Sequence, residues 1–250
     1  MRSAGNPRFG DAKVRGLKGK DTPFKGNGRS FEGVGEYLMG IINFGVPKDV
    51  VLFLQRLLDL RTFVETGTLH GNTAAWAAKN FEQVYSIEAD LAHWQTAQER
   101  FLALKNISFI HGNSPQELRT LSSGFDNPLF WLDAHWSGGT TAGENDECPL
   151  LAELDAIGEG KFAQPVIIID DARLFLSPPP PPHKWEQWPD IGTVLAALER
   201  CGDFYVVIKD DAIIAVPASA RSETVEFLRN QEQPPQKKPK GIFGRRSLWQ

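Results

Sequence analysis

The sequence predicts an α/β fold, a doubly wound, seven-stranded, mostly parallel sheet with helices on both faces. Three observations carry that expectation. Short apolar runs alternate with helical stretches through the middle of the chain. The first run leads into an acidic residue and a glycine-containing turn, and the last two runs are joined by a link too short for a helix. Buried β-branched runs separated by helices mean parallel strands wound by right-handed crossovers. The link Lys209-Asp210-Asp211 permits only a hairpin, so one strand must run antiparallel.

In chain order, residues 1–30 hold eight basic and two acidic side chains with few apolar positions, and are expected to be a disordered basic segment. They have no apolar core of the kind a secretory signal needs. Residues 31–60 read as helical. Pro47 suits a helix first turn, and Val50, Val51, Phe53, Leu54, Leu57, Leu58 and Leu60 recur at helical spacing, giving a stripe to lay against the sheet. Five buried strands follow at Thr62–Val64, Val84–Ile87, Ile107–Ile110, Leu129–Leu132 and Val166–Ile169. Helical stretches near 72–80, 91–104, 115–121, 148–157 and 190–200 separate or follow them. Phe204–Ile208 and Ala212–Val216 are the terminal hairpin strands. Pro178–Pro182 predicts a stiff polyproline II stretch after the fifth strand, read as a connector more than a lid over the carboxyl edge of the sheet. Residues 31–230 thus form one domain, and 231–250 a disordered basic tail.

The bulk numbers agree with a globular chain of 250 residues, 41% hydrophobic and 23% charged. No apolar stretch is long enough for a membrane span. Cys148 and Cys201 make no disulfide framework, so a reducing, cytoplasmic setting is expected, with both thiols packed as small apolar groups. The net charge of −4 hides basic ends around an acidic body. The ends lack the aromatic interleaving of a single-strand binder, and an acidic body is a poor nucleic-acid surface, so nucleic acid is not expected as the substrate.

The segment Phe63-Val64-Glu65-Thr66-Gly67-Thr68-Leu69-His70-Gly71-Asn72-Thr73 reads as strand, glycine turn and helix start, and Glu88 closes the next apolar run. A backbone turn for one end and a carboxylate for the ribose hydroxyls is how an α/β sheet holds a nucleoside. The segment resembles the first motif of class I S-adenosylmethionine-dependent methyltransferases. The layout of five parallel strands and a hairpin resembles theirs too, over roughly residues 60–217. Leu69 departs from the pattern, standing where a middle glycine is usual. The resemblance implies S-adenosylmethionine as cofactor. Gly67 and Gly71 would let the backbone approach the cofactor and pack the helix, and Thr68 and Thr73 would add hydroxyls. Glu65 would face the ammonium group, and Glu88 the ribose. Asn113 or Ser114 would meet the adenine, with Ser114 equally placed to cap the next helix. The rival ligand is a nicotinamide dinucleotide. It is disfavoured because the turn is Gly-x-x-x-Gly and the terminal hairpin is antiparallel.

The fourth strand ends in Asp133-Ala134-His135-Trp136 and the fifth in Asp170-Asp171-Ala172-Arg173. Three carboxylates at adjacent strand ends would raise one another's pKa unless a cation joined them. This resembles the metal-dependent O-methyltransferases of macrolide sugars, and the resemblance implies Asp133, Asp170 and Asp171 as ligands of Mg2+ or Mn2+. His135 is the candidate general base, with Asp133 beside it at the reacting centre. Other readings stay open. Asp133 could contact the cofactor amine, Asp170 or Asp171 could cap a turn or pair with Arg173, and His135 could be a hydrogen-bonded rim residue. Gly138–Gly143 suits a flexible loop above this point. Trp131, Trp136, Trp185 and Trp188 are near the expected mouth and could stack on a ring. His93 is expected to face solvent, while His70 and His111 lie near the cofactor edge with no assigned chemistry. The function expected is O-methylation of a small-molecule or sugar-like hydroxyl. The alternative is a non-catalytic cofactor-binding or partner-binding module.

Overall fold

The computed structural model describes residues 45–121, 125, 127–136, 146–160 and 162–231. The expected disordered segment 1–30, the stretch 31–44 of the helical region, the Gly138–Gly143 loop and the tail beyond 231 lie outside the described residues. The elements run α1 (Lys48–Leu57), β1 (Thr62–Thr66), α2 (Asn72–Ala77), β2 (Gln83–Glu88), α3 (Leu91–Arg100), β3 (Ile107–His111), α4 (Ser114–Leu121) and β4 (Pro128–Leu132). After these come α5 (Leu150–Glu159), β5 (Val166–Ile169), α6 (Arg173–Leu176), α7 (Ile191–Cys201), β6 (Phe204–Lys209), β7 (Ala212–Pro217) and α8 (Arg221–Gln231).

The seven strands pair in the order β3-β2-β1-β4-β5-β7-β6. β1 to β5 are parallel to one another, and β7 runs antiparallel to both β5 and β6. Chain order reverses between β1 and β4, so their carboxyl ends flank the crevice where an open α/β sheet binds ligands.

Every residue of β1, β4 and β5 is buried, which is why these strands read as continuous apolar runs and not as alternation. Successive side chains still part to opposite faces. Val64, Phe130, Ile167 and Ile169 join Leu154 of α5 and Leu198 of α7 on one face. Phe63, Leu129, Trp131 and Ile168 join Val51 and Leu54 of α1 on the other. Trp131 is fully buried in this second core, which removes it from the expected mouth.

Several expectations shift at element ends. Pro47 stands just before α1 and accepts the Val51 N–H through its carbonyl at 3.0 Å. Helix α8 is an addition to the predicted elements. It buries Thr224 and Leu228, and Phe227 stacks on Phe53 of α1 with ring centroids 4.0 Å apart. The hairpin link is two residues, because Lys209 pairs with Ala212. Asp210 and Asp211 both take positive φ (49° and 67°), the geometry whose twist matches a two-residue hairpin. The proline run does not continue as one extended stretch. The Pro181–Pro182 peptide is cis, and the chain turns so that the His183 N–H donates to the Pro180 carbonyl at 3.2 Å. Cys148 and Cys201 are free thiols, pushed by burial up to about 12 and about 11. Among the described residues no helix is long and apolar enough to cross a membrane.

Candidate active site

β1 leads into a turn with three left-handed residues, Gly67 (φ 84°), Leu69 (φ 46°) and Gly71 (φ 71°). At Gly67 a Cβ would lie 2.3 Å from the Asp133 carbonyl oxygen, so the turn can pass there only without a side chain. At Gly71 a Cβ would meet the Phe101 ring at 3.0 Å and Ala97 at 3.3 Å, which sets how closely the start of α2 approaches α3. Leu69 adopts the shape that a middle glycine would have given. An L-residue pays about 1–2 kcal/mol in this region. Its backbone N–H donates to Glu88 Oε2 at 2.8 Å, a charge-assisted bond that helps hold the turn.

Glu88, the last residue of β2, lines a cleft of about 210 Å³ together with Gly67, Asn113, Ser114, Asp133 and His135. Its Oε1 accepts the Asp90 N–H at 2.8 Å. A carboxylate offers about four acceptor positions, so the two backbone donors orient Glu88 and leave capacity for two hydroxyls. Glu65 stands elsewhere. It lies inside β1, opposite Ser86, and is 1% exposed beneath the turn. The Ser86 hydroxyl donates to its Oε2 at 2.5 Å and lies 2.7 Å from the Thr68 hydroxyl. Burial pushes the Glu65 carboxyl up to about 8 against the hydrogen bonds of Ser86 and Thr73. Glu65, Thr68, Gly71 and Thr73 therefore shape the turn from behind, while Gly67, Glu88, Asn113, Ser114 and Asp133 reach the cleft wall. The cap of α4 also shifts by one residue. The Asn113 carbonyl accepts from Gln116 and Glu117, both at 3.1 Å, and Ser114 is already helical.

The ends of β4 and β5 come side by side, as the Asp133 N–H donates to the Thr66 carbonyl and the Asp170 N–H to the Leu132 carbonyl, each at 3.1 Å. His135 lies between two carboxylates, with 9% of its side chain exposed. Its Nε2 lies 2.8 Å from Asp171 Oδ2 and its Nδ1 3.7 Å from Asp133 Oδ1. Burial alone would lower the His135 pKa, but the Asp171 hydrogen bond and the neighbouring carboxylates raise it. Burial would raise Asp171, yet His135 and Arg173 outweigh it and hold that carboxyl below its usual range. Asp133 is pushed up to about 8, chiefly by burial, with His135 opposing and Asp170 and Asp171 adding to the rise. Asp170 rises to about 6 through burial and the Asp171 charge.

The three aspartates proposed as metal ligands are thus neighbours, but two are already engaged. Asp171 serves His135 and, at 2.6 Å, Arg173 Nη1, while Asp170 Oδ1 accepts the Asp171 N–H at 2.8 Å. Among the described residues no group of three or more His, Cys, Asp or Glu is arranged to hold a metal. This donor set does not fit a metal, and what it presents instead is an aspartate–histidine pair beside a second aspartate.

Some residues here escaped the sequence patterns. His93 lines the cleft instead of facing solvent, with its ring edge-on to His70 at 6.1 Å. Asp146 lines it from the far side, in a segment without periodicity. Glu153 is fully buried, its Oε1 meets no hydrogen-bond partner, and burial pushes its carboxyl up to about 7. Its signal was present, since Leu150, Glu153, Leu154 and Ile157 form one helical stripe with a single acid in it. Trp136 and Trp188 are buried behind the cleft, whereas Trp185 is 60% exposed.

No protein-family model matches the chain, and no curated protein matches it. Solved structures do. A Klebsiella pneumoniae protein assigned as an O-methyltransferase aligns with a TM-score of 0.50 at 18% identity, over 70% of this chain and 82% of the other. A Staphylococcus aureus protein assigned as a caffeoyl-CoA O-methyltransferase gives 0.49 at 13%, over 71% and 86%. A Streptococcus mutans protein assigned as a methyltransferase, solved with SAH, gives 0.46 at 14%, over 69% and 97%. With the strand order above, the first of these establishes the architecture: the chain has the fold of the class I S-adenosylmethionine-dependent methyltransferases.

Proposed function

We propose that this chain is an S-adenosylmethionine-dependent methyltransferase acting on a small-molecule or sugar-like hydroxyl. One observation carries the reading. The wall of one cleft carries both an oriented carboxylate, Glu88, and His135, whose ring is paired with Asp171. A pure binding module has no use for that pair. Gly67, whose missing Cβ lets the turn after β1 pack against the Asp133 carbonyl, keeps Glu88 and His135 on the wall of one cleft.

In this reading Glu88 accepts from the ribose hydroxyls, Asn113 and Ser114 border the base, and Asp133 faces the ammonium end. When bound, the cofactor supplies a sulfonium methyl as electrophile. Asp171, held ionised, accepts the His135 Nε2–H and so leaves Nδ1 to take a proton from the acceptor hydroxyl. Asp171 then stabilises the resulting imidazolium, the direction in which the His135 pKa already leans. The cleft wall contains Glu88, Asp133 and Asp146 and, among the described residues, no Lys or Arg. Such a wall favours an uncharged or cationic acceptor over a phosphorylated one or a nucleic acid.

Titration calorimetry with S-adenosylhomocysteine tests the reading. The wild-type chain should bind, and Glu88→Ala should weaken binding by about 10-fold or more, since hydrogen bonds to a charged group contribute about 1.5–3 kcal/mol. Absence of binding by the wild type, or unchanged affinity in the variant, removes the assignment.

A further inference from the structure

Glu147 lies just past Asp146, and no sequence pattern marks it. Its side chain is completely buried. Burial opposes its ionisation, but hydrogen bonds from Trp188, Lys184 and His183 hold its carboxyl below the usual range. Trp188 Nε1 donates to Oε2 at 2.9 Å, the Lys184 N–H reaches both oxygens at 3.1 Å, and His183 Nδ1 lies 3.2 Å from Oε2. All these partners belong to the connector between α6 and α7, the segment that begins with the proline run. The backbone adds two ties. The Glu147 N–H donates to Gln187 Oε1 at 2.9 Å, and its carbonyl accepts the Trp136 N–H at 2.7 Å. One residue therefore binds the outlet of β4 to the connector that follows β5.

The indole held by Glu147 lies against His135, with ring centroids 5.5 Å apart and planes inclined by 59°. The Asp171 hydrogen bond fixes one nitrogen of that imidazole, but a single bond leaves the ring free to rock about it. The indole packed at a tilt against the imidazole supplies the missing constraint.

We propose that Glu147 is a positioning residue of the site: by anchoring Trp188 it sets the plane of the His135 ring, and with it the direction in which Nδ1 meets the acceptor. The proposal rests on the role given to His135 above. A merely structural Glu147 would lower stability on removal, because buried donors lose their partner, without changing how His135 is held.

The test is side-chain NMR of the full chain without added ligand. The His135 ring resonance is assigned with His135→Gln and the Trp188 indole resonance with Trp188→Phe. In the wild type the His135 ring signal should be single and sharp. In Glu147→Ala the indole signal should lose its hydrogen-bonded position, and the His135 ring signal should broaden or split. Glu147→Gln, which still offers an acceptor to the indole, should restore both. If Glu147→Ala does not fold, Trp188→Leu carries the test with the same expected broadening at His135. A His135 signal that stays single and sharp in whichever of Glu147→Ala and Trp188→Leu folds overturns the proposal, whatever the loss of melting temperature. Failure of the wild type to bind S-adenosylhomocysteine would sink the methyltransferase reading and leave this measurement standing, since it uses no cofactor.

Discussion

Leu69 and Gly67 occupy the same turn under opposite constraints. Leu69 is 45% exposed and makes its useful contact through its backbone N–H, so its side chain adds strain and little packing. Leu69→Gly should raise stability by about 0.5–1 kcal/mol, the left-handed strain relieved less the extra entropy of an unfolded glycine. Urea unfolding would read this. Gly67→Ala should do the reverse, because it combines an unfavourable φ with a Cβ 2.3 Å from the Asp133 carbonyl oxygen. A loss of about 2 kcal/mol or more is expected, along with loss of S-adenosylhomocysteine binding in calorimetry. Sequence letters gave an incomplete account of this turn, because they record glycine and not the sign of φ. They also placed Glu65 past the strand end. β1 runs to Thr66, so Glu65 lies within the strand and meets its cross-strand partner Ser86 beneath the turn. Glu88 ends its own strand and escapes that constraint.

The seven strands were legible as elements because each carries a short apolar run bounded by polar turns, whereas the order in which they pair is supplied by the structure. Helix α8 was not, since only Thr224 and Leu228 of its eleven residues are buried. The partnership of separate elements was also invisible. The hairpin turn between β6 and β7 folds back onto the turn after β5. Asp211 accepts the Arg173 N–H at 2.9 Å and pairs with the Arg173 guanidinium, and its carbonyl takes the Ala172 N–H at 2.7 Å. Arg173 in turn engages Asp171, which is why that aspartate is not free for a metal. Asp211→Ala should cost about 1–3 kcal/mol in urea unfolding, because the Arg173 N–H loses its acceptor and the guanidinium keeps only Asp171. Because Asp211 takes no part at the nucleoside end, the affinity for S-adenosylhomocysteine should stay at its wild-type value in calorimetry.

At the scale of the molecule, the site is acidic, and two carboxyls beside it are buried. Glu65 and Glu153 are buried with pKa values near 8 and 7, above the ordinary 4.5. Between those limits the folded chain keeps protons that the unfolded chain releases, so stability is greatest below about pH 4.5 as far as these two groups are concerned. It falls as pH rises through 7 and 8, by up to about 1.4 kcal/mol per pH unit for each group. Urea midpoints at about pH 5.5 and about pH 8.5 should show that decline. Glu65→Gln should flatten it, and an equal slope in the variant would show that Glu65 ionises freely. The two ends of the cleft are also one piece of matter. With no side chain between Gly67 and the Asp133 carbonyl, the turn after β1 and the strand outlet that bears Asp133 and His135 lie in direct contact. Close-packed interiors pass displacement on rather than absorb it. In the proposed reading, a cofactor that settles the turn therefore also settles the reacting wall and tightens the acceptor, and the acceptor tightens the cofactor to the same degree.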